Sequence, residues 1–205
     1  LGWAWEGESP YAELLHFYQY GKKNYYDYGI RDAYHVADIA FDHSTETVRM
    51  HDYPMDGSTA PPLFRMVGPL FGYLETGDPY LLEVAESGAT HYYWMDRHNW
   101  PRRSYGRDGA SLRSLIFLWD YTGKEDYLSM AREALGRLIQ CQLPDGSYHD
   151  QGGGTGFHAA GQLIIKVWMA CLGTDPILDY LQRRPDDPVL LEALRKTGEF
   201  VLDAQ

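Results

Sequence analysis

The sequence predicts an all-α fold made of repeated antiparallel helix hairpins, about four in 205 residues. Apolar residues recur at helical spacing through most of the chain. Short glycine-led connections recur with a period of roughly 50 residues. They read Gly21-Lys-Lys-Asn-Tyr-Tyr, Gly77-Asp-Pro-Tyr-Leu-Leu and Gly123-Lys-Glu-Asp-Tyr-Leu. Longer polar segments separate the hairpins.

The predicted hairpins span residues 11–41, 62–95, 110–140 and 157–204, as one all-α domain over residues 1–205 or a fragment of one. In the first three, the glycine ends the first helix in a left-handed conformation, and the polar residues after it start the second helix. In the fourth, we expect an insertion over residues 175–188 between the helices.

The two helices of a hairpin differ in polarity. Residues 112–119 and 163–172 are apolar almost all round, and a helix that is apolar on every side is buried on every side. We therefore expect the first helix of each hairpin to be inner and the second to be outer. The second helix of the third hairpin carries one polar stripe, formed by Ser129, Arg132, Glu133, Gly136, Arg137 and Gln140.

Three long polar segments, residues 43–60, 96–109 and 142–156, each follow a second helix. An up-and-down array alternates its connections between its two ends, so we expect these segments to gather on one face. That face is where the sequence places the function.

The phrases Tyr73-Leu-Glu-Thr-Gly-Asp-Pro-Tyr-Leu81 and Trp119-Asp-Tyr-Thr-Gly-Lys-Glu-Asp-Tyr-Leu128 resemble the turns of (α/α) toroid, six-hairpin carbohydrate-active enzymes. The segment His35-Val-Ala-Asp-Ile-Ala-Phe-Asp-His43 is similar to one in exo-rhamnogalacturonan-lyase-like proteins. The resemblance implies part of an (α/α)n toroid or barrel. Four hairpins do not close such a toroid, so we expect the remaining hairpins from a longer chain or another subunit.

The segment 96–109 concentrates arginine in a chain of formal net charge -11. Arginine binds a planar carboxylate with two hydrogen bonds, and a uronic acid presents that group. The alternative is a solvated loop whose arginines pair with nearby acidic residues. Aromatic rings stack on sugar faces, although they also anchor loops to a core. The candidates from this region are Arg103, Arg107, Asp108 and Tyr105 for the reaction, and Trp94, His98 and Trp100 for binding.

The segment 43–60 offers His51 and Asp52 for acid-base chemistry, because an unperturbed histidine titrates near neutrality. His43 and Tyr53 are candidate sugar contacts, and the alternative for His43 is a polar cap on the outer helix. No cofactor is expected. A divalent metal at His43 and His51 is an alternative that no helical ligand spacing supports.

The third segment and the N-terminal stretch supply the remaining candidates. His149 and Asp150 precede a run of glycines that allows close backbone approach to a ligand or a sharp re-entry. His158 follows in the next predicted inner helix. Trp3 and Trp5 offer a sugar platform, with terminal fraying as the alternative.

These residues favour a polysaccharide lyase that cleaves a uronate-containing glycan by β-elimination. Arg103 or Arg107 would neutralise the carboxylate, while His51, His149 or Tyr105 would remove the proton. One alternative is a glycoside hydrolase on the same scaffold, which uses paired carboxylates such as Asp52, Asp108 and Asp150. The second alternative is a non-catalytic helical-repeat module that binds glycan or protein.

The expected partner is an oligo- or polysaccharide, including an anionic one. The negative charge argues against nucleic acid and anionic membrane, and no apolar run is long enough for a membrane span. The chain starts at Leu1 and stops at Gln205 inside a helical pattern, so we expect a piece of a longer protein. No signal peptide is visible, and the localisation stays open.

Overall fold

The computed structural model describes residues 8–48, 65–99, 107–148 and 167–203, and these residues are mostly helical. A π-helical turn (Val36–Ala40) extends α2, and a 3-10 turn (Arg107–Leu112) precedes α5. Strand β1 (Phe41–Asp42) pairs antiparallel with β2 (Thr47–Val48). The α-helices are α1 (Ser9–Tyr20), α2 (Lys23–His35), α3 (Val67–Thr76), α4 (Pro79–Asn99), α5 (Arg113–Thr122), α6 (Glu125–Ile139), α7 (Val167–Arg183) and α8 (Pro188–Asp203). The all-α prediction is confirmed.

Contacts group the chain into two compact units, Leu1–Tyr92 and Tyr93–Gln205, with the boundary inside α4. The prediction of a single toroid domain over residues 1–205 stays a prediction. Among the described helices, none is both long enough and apolar enough to span a membrane.

Left-handed glycines end the first helix of three pairs. Gly21, Gly77 and Gly123 have φ values of 66°, 72° and 68°, and each N–H donates to the carbonyl four residues earlier at 2.7–2.8 Å. The second helix starts at once, and at α4 the Asp78 Oδ1 accepts from the Tyr80 N–H at 3.0 Å. The predicted turns are confirmed because their chemistry is local.

The α5–α6 pair confirms the predicted division into inner and outer helices. Five consecutive residues of α5, from Ser114 to Leu118, are buried, so this helix is covered on every side. On α6, Leu135 and Leu138 are fully buried, whereas Glu133 is exposed. The predicted polar stripe of α6 therefore faces away from the core.

The α1–α2 pair departs from this rule. Helix α3 buries the six residues from Val67 to Gly72, but α1 buries only Pro10 and Leu14 along its whole length. Helix α1 packs against α2 and α3, and the rest of its surface is exposed, including Leu15 at 43%. The prediction that α1 is an inner helix stays a prediction, because burial on every side requires neighbours beyond α2 and α3.

The insertion predicted over residues 175–188 is also wrong. Helix α7 continues past Pro176 to Arg183, and only residues 184–187 connect it to α8. A proline costs a helix one hydrogen bond. Here packing compensates, because Ile177 is fully buried and the Asp179 carboxylate pairs with the Arg113 guanidinium at 2.6 Å.

Replacing Gly123 with Ala should destabilise the fold by about 1 kcal/mol, because an L side chain is strained at positive φ. A Cβ there meets no atom within 4 Å, so only the backbone contributes. Gly198 in α8 is the matched control, since its Cβ position is also open. Gly198→Ala should stabilise by roughly 0.5–1 kcal/mol. Urea unfolding measures both, and changes of the same sign would contradict the assignment.

Candidate functional site

Most of the predicted site residues lie outside the described residues, so their roles stay predictions. Arg107 and Asp108 fall in the 3-10 turn before α5. His43, Trp94 and His98 are described, and all three are exposed. The candidates outside the described ranges are Trp3, Trp5, His51, Asp52, Tyr53, Trp100, Arg103, Tyr105, His149, Asp150 and His158.

A groove of about 770 Å³ lies along the polar face of α6, within the unit Tyr93–Gln205. The polar stripe of α6 forms its floor. Arg97 from the last turns of α4 lines one part of it, and Tyr180 and Arg184 from the end of α7 line another. Side chains from the ends of α4 and α7 thus meet over the polar stripe of α6. The sequence predicted this stripe only as a solvent-exposed face.

Arginine dominates the charge of this groove. Its lining contains four arginines, Arg97, Arg132, Arg137 and Arg184, but only two acidic residues, Glu125 and Glu133. The whole chain has a formal net charge of -11. The groove is therefore a positive region on a negatively charged protein, which favours an anionic ligand.

Two of these arginines have a structural role. Arg132 Nη2 lies 3.3 Å from Asp187 Oδ1, and the same oxygen accepts from the Val189 N–H at 3.1 Å at the start of α8. Arg137 Nη1 donates to Glu133 Oε1 at 2.7 Å. These pairs hold the floor of the groove in place.

The other two arginines have looser ionic partners. Arg97 lies 3.8 Å from Glu133, and Arg184 lies 3.8 Å from Glu125. Each guanidinium also stacks over a tryptophan, Arg97 over Trp94 at 5.5 Å and Arg184 over Trp119 at 4.9 Å. Because cation–π contacts restrain a guanidinium without neutralising it, both remain suited to an incoming anion.

The Glu133 carboxylate would compete with an anionic ligand at the floor of the groove. The Tyr93 hydroxyl donates to Glu133 Oε2 at 2.6 Å. This hydrogen bond, followed by Arg137 and Arg97, lowers the pKa of Glu133, while burial and the bond to Glu133 raise the pKa of Tyr93. Glu133 therefore stays ionised at neutral pH, and an anionic ligand competes with it for Arg97.

In the unit Leu1–Tyr92, the His43 side chain forms a hydrogen bond with the π-helical turn Val36–Ala40. His43 Nε2 lies 2.9 Å from the Ala37 carbonyl oxygen, which can only accept, so this nitrogen carries the proton. The Tyr80 hydroxyl donates to Asp38 Oδ1 at 2.7 Å, and its ring stacks on His43 with centroids 5.8 Å apart. These contacts agree with a capping role for His43, and its predicted contact with substrate stays a prediction.

Tyr80 completes this cluster, and sequence reasoning missed it. It is one of 17 tyrosines, and no spacing distinguishes it from the others. Burial, then the hydrogen bond to Asp38, raises the pKa of Tyr80 to about 12. The hydroxyl therefore stays protonated at neutral pH, and it can donate a hydrogen bond but does not serve as a base.

Within the described ranges, no group of three or more His, Cys, Asp or Glu side chains is arranged to hold a metal ion. The metal alternative combines His43 and His51 with Asp42 or Asp52, and both His51 and Asp52 lie outside those ranges, so that alternative stays a prediction.

Replacing Tyr80 with Phe should lower the free energy of unfolding by about 1 kcal/mol at pH 8, because a hydrogen bond to a carboxylate is lost. The folded-state pKa is raised from 10.0, so this stabilisation is complete below pH 10 and declines as the pH rises towards 12. Urea unfolding across this range should show the difference from wild type shrinking. Tyr20→Phe, which changes an exposed side chain, is the control. A difference that is constant up to pH 12 would refute the assignment.

Comparisons of the chain with protein-family models, with curated proteins and with solved structures find no match. The fold and the geometry of the groove therefore carry the functional argument.

Proposed function

We propose that this chain is a carbohydrate-active enzyme, a polysaccharide lyase that cleaves a uronate-containing glycan by β-elimination. The observation that carries the proposal is the arginine-lined groove on α6. Its four arginines and two glutamates give a positive surface on a chain of net charge -11. Arginine binds carboxylates with paired hydrogen bonds, and a uronate glycan presents one on each acidic sugar.

The position of the groove in the chain links it to the predicted reactive residues. Arg97 stands near the end of α4, and the chain continues from there to Arg103 and Tyr105. Gln140 follows α6, and the chain continues from there to His149. Two of the three candidate segments therefore start at helix ends that line the same groove.

The reaction assigns one task to each residue type. An arginine, Arg103 or Arg107, pairs with the carboxylate and stabilises the negative charge that develops when the C5 proton leaves. A base, His51, His149 or Tyr105, takes that proton. The electron pair of the C5–H bond forms the C4–C5 double bond, the C4–O bond breaks, and the leaving oxygen takes up a proton.

The test is to incubate the chain with polygalacturonate and with other uronate polymers. The proposal predicts new reducing ends together with ultraviolet absorbance from the conjugated, unsaturated uronate. Reducing ends without that absorbance would instead indicate a hydrolase using carboxylates such as Asp52, Asp108 and Asp150. Binding without any cleavage would indicate a non-catalytic module. Either result would overturn the lyase proposal.

Replacing Arg184 with Gln should raise KM about tenfold and leave kcat nearly unchanged, because a charge-assisted hydrogen bond in the groove contributes to binding only. Arg97→Gln should act in the same direction. Arg195→Gln is the control, since Arg195 pairs with Glu192 and Glu199 on α8 and does not line the groove. Equal KM values for Arg184→Gln and Arg195→Gln would remove the groove from the proposal.

A further inference from the structure

One carboxylate on α6 receives hydrogen bonds from two helices. The Tyr93 hydroxyl on α4 donates to Glu133 Oε2 at 2.6 Å, and Arg137 Nη1 on α6 donates to Glu133 Oε1 at 2.7 Å. Arg97 Nε on α4 lies 3.8 Å from the same Oε1. Each oxygen of the Glu133 carboxylate therefore accepts a short hydrogen bond, and a second guanidinium lies close by.

The two hydrogen-bond donors are held by packing that does not involve Glu133. The Tyr93 side chain is buried, with 4% of the residue exposed. The Arg137 guanidinium stacks on the Tyr93 ring at 5.3 Å, and the Arg137 side chain is only 15% exposed. Because the ring is buried and the guanidinium packs against it, we expect both donors to keep their positions when the carboxylate leaves.

Glu133 itself is the part of this cluster that can move. Its side chain is 48% exposed on the polar stripe of α6. A glutamate on an exposed helix face reaches other staggered rotamers that point into solvent without any change in the backbone. The carboxylate can therefore leave its donors, and a second carboxylate that enters from the groove can take its place.

The donors favour an anion over a neutral group. The hydrogen bond from Tyr93, followed by the charges of Arg137 and Arg97, lowers the pKa of Glu133. A carboxyl pKa falls when its surroundings stabilise the charged form more than the neutral form. The position is therefore suited to a carboxylate, whichever molecule carries it.

The other glutamate of the groove has a weaker set of donors. The Glu125 side chain is 70% exposed, and Arg184 lies 3.8 Å from it. Its one printed hydrogen bond comes from the neutral Trp119 Nε1 at 3.0 Å. A bond from a neutral donor is weaker than one from a guanidinium. The position of Glu133 is thus the better carboxylate receptor of the two.

We propose that Tyr93, Arg137 and Arg97 form a carboxylate-binding subsite. Glu133 fills this subsite from within the chain, and a carboxylate of the ligand displaces it. The assignment of that ligand as a uronate rests on the proposed function. Because Glu133 is tethered, it competes at high effective concentration. A single acid then displaces it poorly, whereas a polymer that is also held at Arg184 displaces it readily, so Glu133 makes the groove selective for polymers.

Thermal melting at pH 7 with added sodium acetate tests the subsite directly. Glu133→Ala removes the internal carboxylate, so acetate should raise its Tm by roughly 2–4 °C relative to sodium chloride at equal ionic strength. Wild type should melt alike in the two salts. Glu192→Ala is the matched control, because it removes the same charge from α8 outside the groove. A Glu133→Ala variant that melts alike in the two salts would overturn the proposal.

A second pair of variants locates the acetate. Adding Tyr93→Phe or Arg137→Gln to Glu133→Ala should remove the extra stabilisation by acetate, because each change takes away one donor of the subsite. Cooperative melting in sodium chloride verifies that each double variant is folded. A response to acetate that persists in both double variants would place the anion elsewhere and would also overturn the proposal.

Titration calorimetry with polygalacturonate and with monomeric galacturonate tests the displacement. Glu133→Ala should bind the polymer about tenfold more tightly than wild type, and its preference for polymer over monomer should shrink. Equal affinities of the two proteins, or no binding by either, would overturn displacement by a uronate polymer. Cleavage is measured separately. A response to acetate without cleavage of any uronate polymer would reject the lyase alone, and cleavage by wild type without that response would reject the subsite alone.

Discussion

The left-handed glycine at the end of α1, α3 and α5 reverses the chain within two residues. The pairing of the helices and the position of the long polar segments depend on this reversal. Because the connections at Gly77 and Gly123 are only two residues long, the two helices of each pair lie close together, and they contact each other. The longer segments can then follow only the second helices. Helix α4 leads into one such segment at Asn99 and α6 into another at Gln140. The positions of the short turns therefore determine which helix ends lead into the long polar segments of the chain.

Burial follows from the same alternation. Helix α5 is buried along Ser114–Leu118, and α6 is one of the helices that cover it. The side of α6 that faces away from α5 carries the polar stripe and lies at the surface. Charged side chains on that stripe then pair locally, as Arg137 does with Glu133. The ends of α4 and α7 add Arg97 and Arg184, which have looser partners. The positive groove thus follows from the arrangement of the two helices. The buried helix α5 lies in the core, and α6 exposes its polar stripe to solvent.

The features that sequence reasoning recovered are those set within a few residues. The turn at Gly123 and the polar stripe of α6 depend on local spacing, and both were predictable. The exposure of Leu15 was not, because it depends on whether another helix pair lies beside α1. The continuation of α7 past Pro176 depends on packing by Ile177, and the groove joins residues far apart in the chain. Tertiary contacts determine all three features, and the periodicity of apolar residues in the sequence does not predict tertiary contacts.

The spacing of the two loosely paired arginines bears on the size of the ligand. Arg97 lies beside Glu133 and Arg184 beside Glu125, and these two positions are about 12 Å apart along α6. A single carboxylate reaches only one of the two guanidiniums. At Arg97 it also competes with Glu133, which Tyr93 helps keep ionised. Under the proposed function, a chain that carries carboxylates along its length would engage both arginines at once, and the second contact would then form at high effective concentration. This favours an acidic polymer over a free sugar acid.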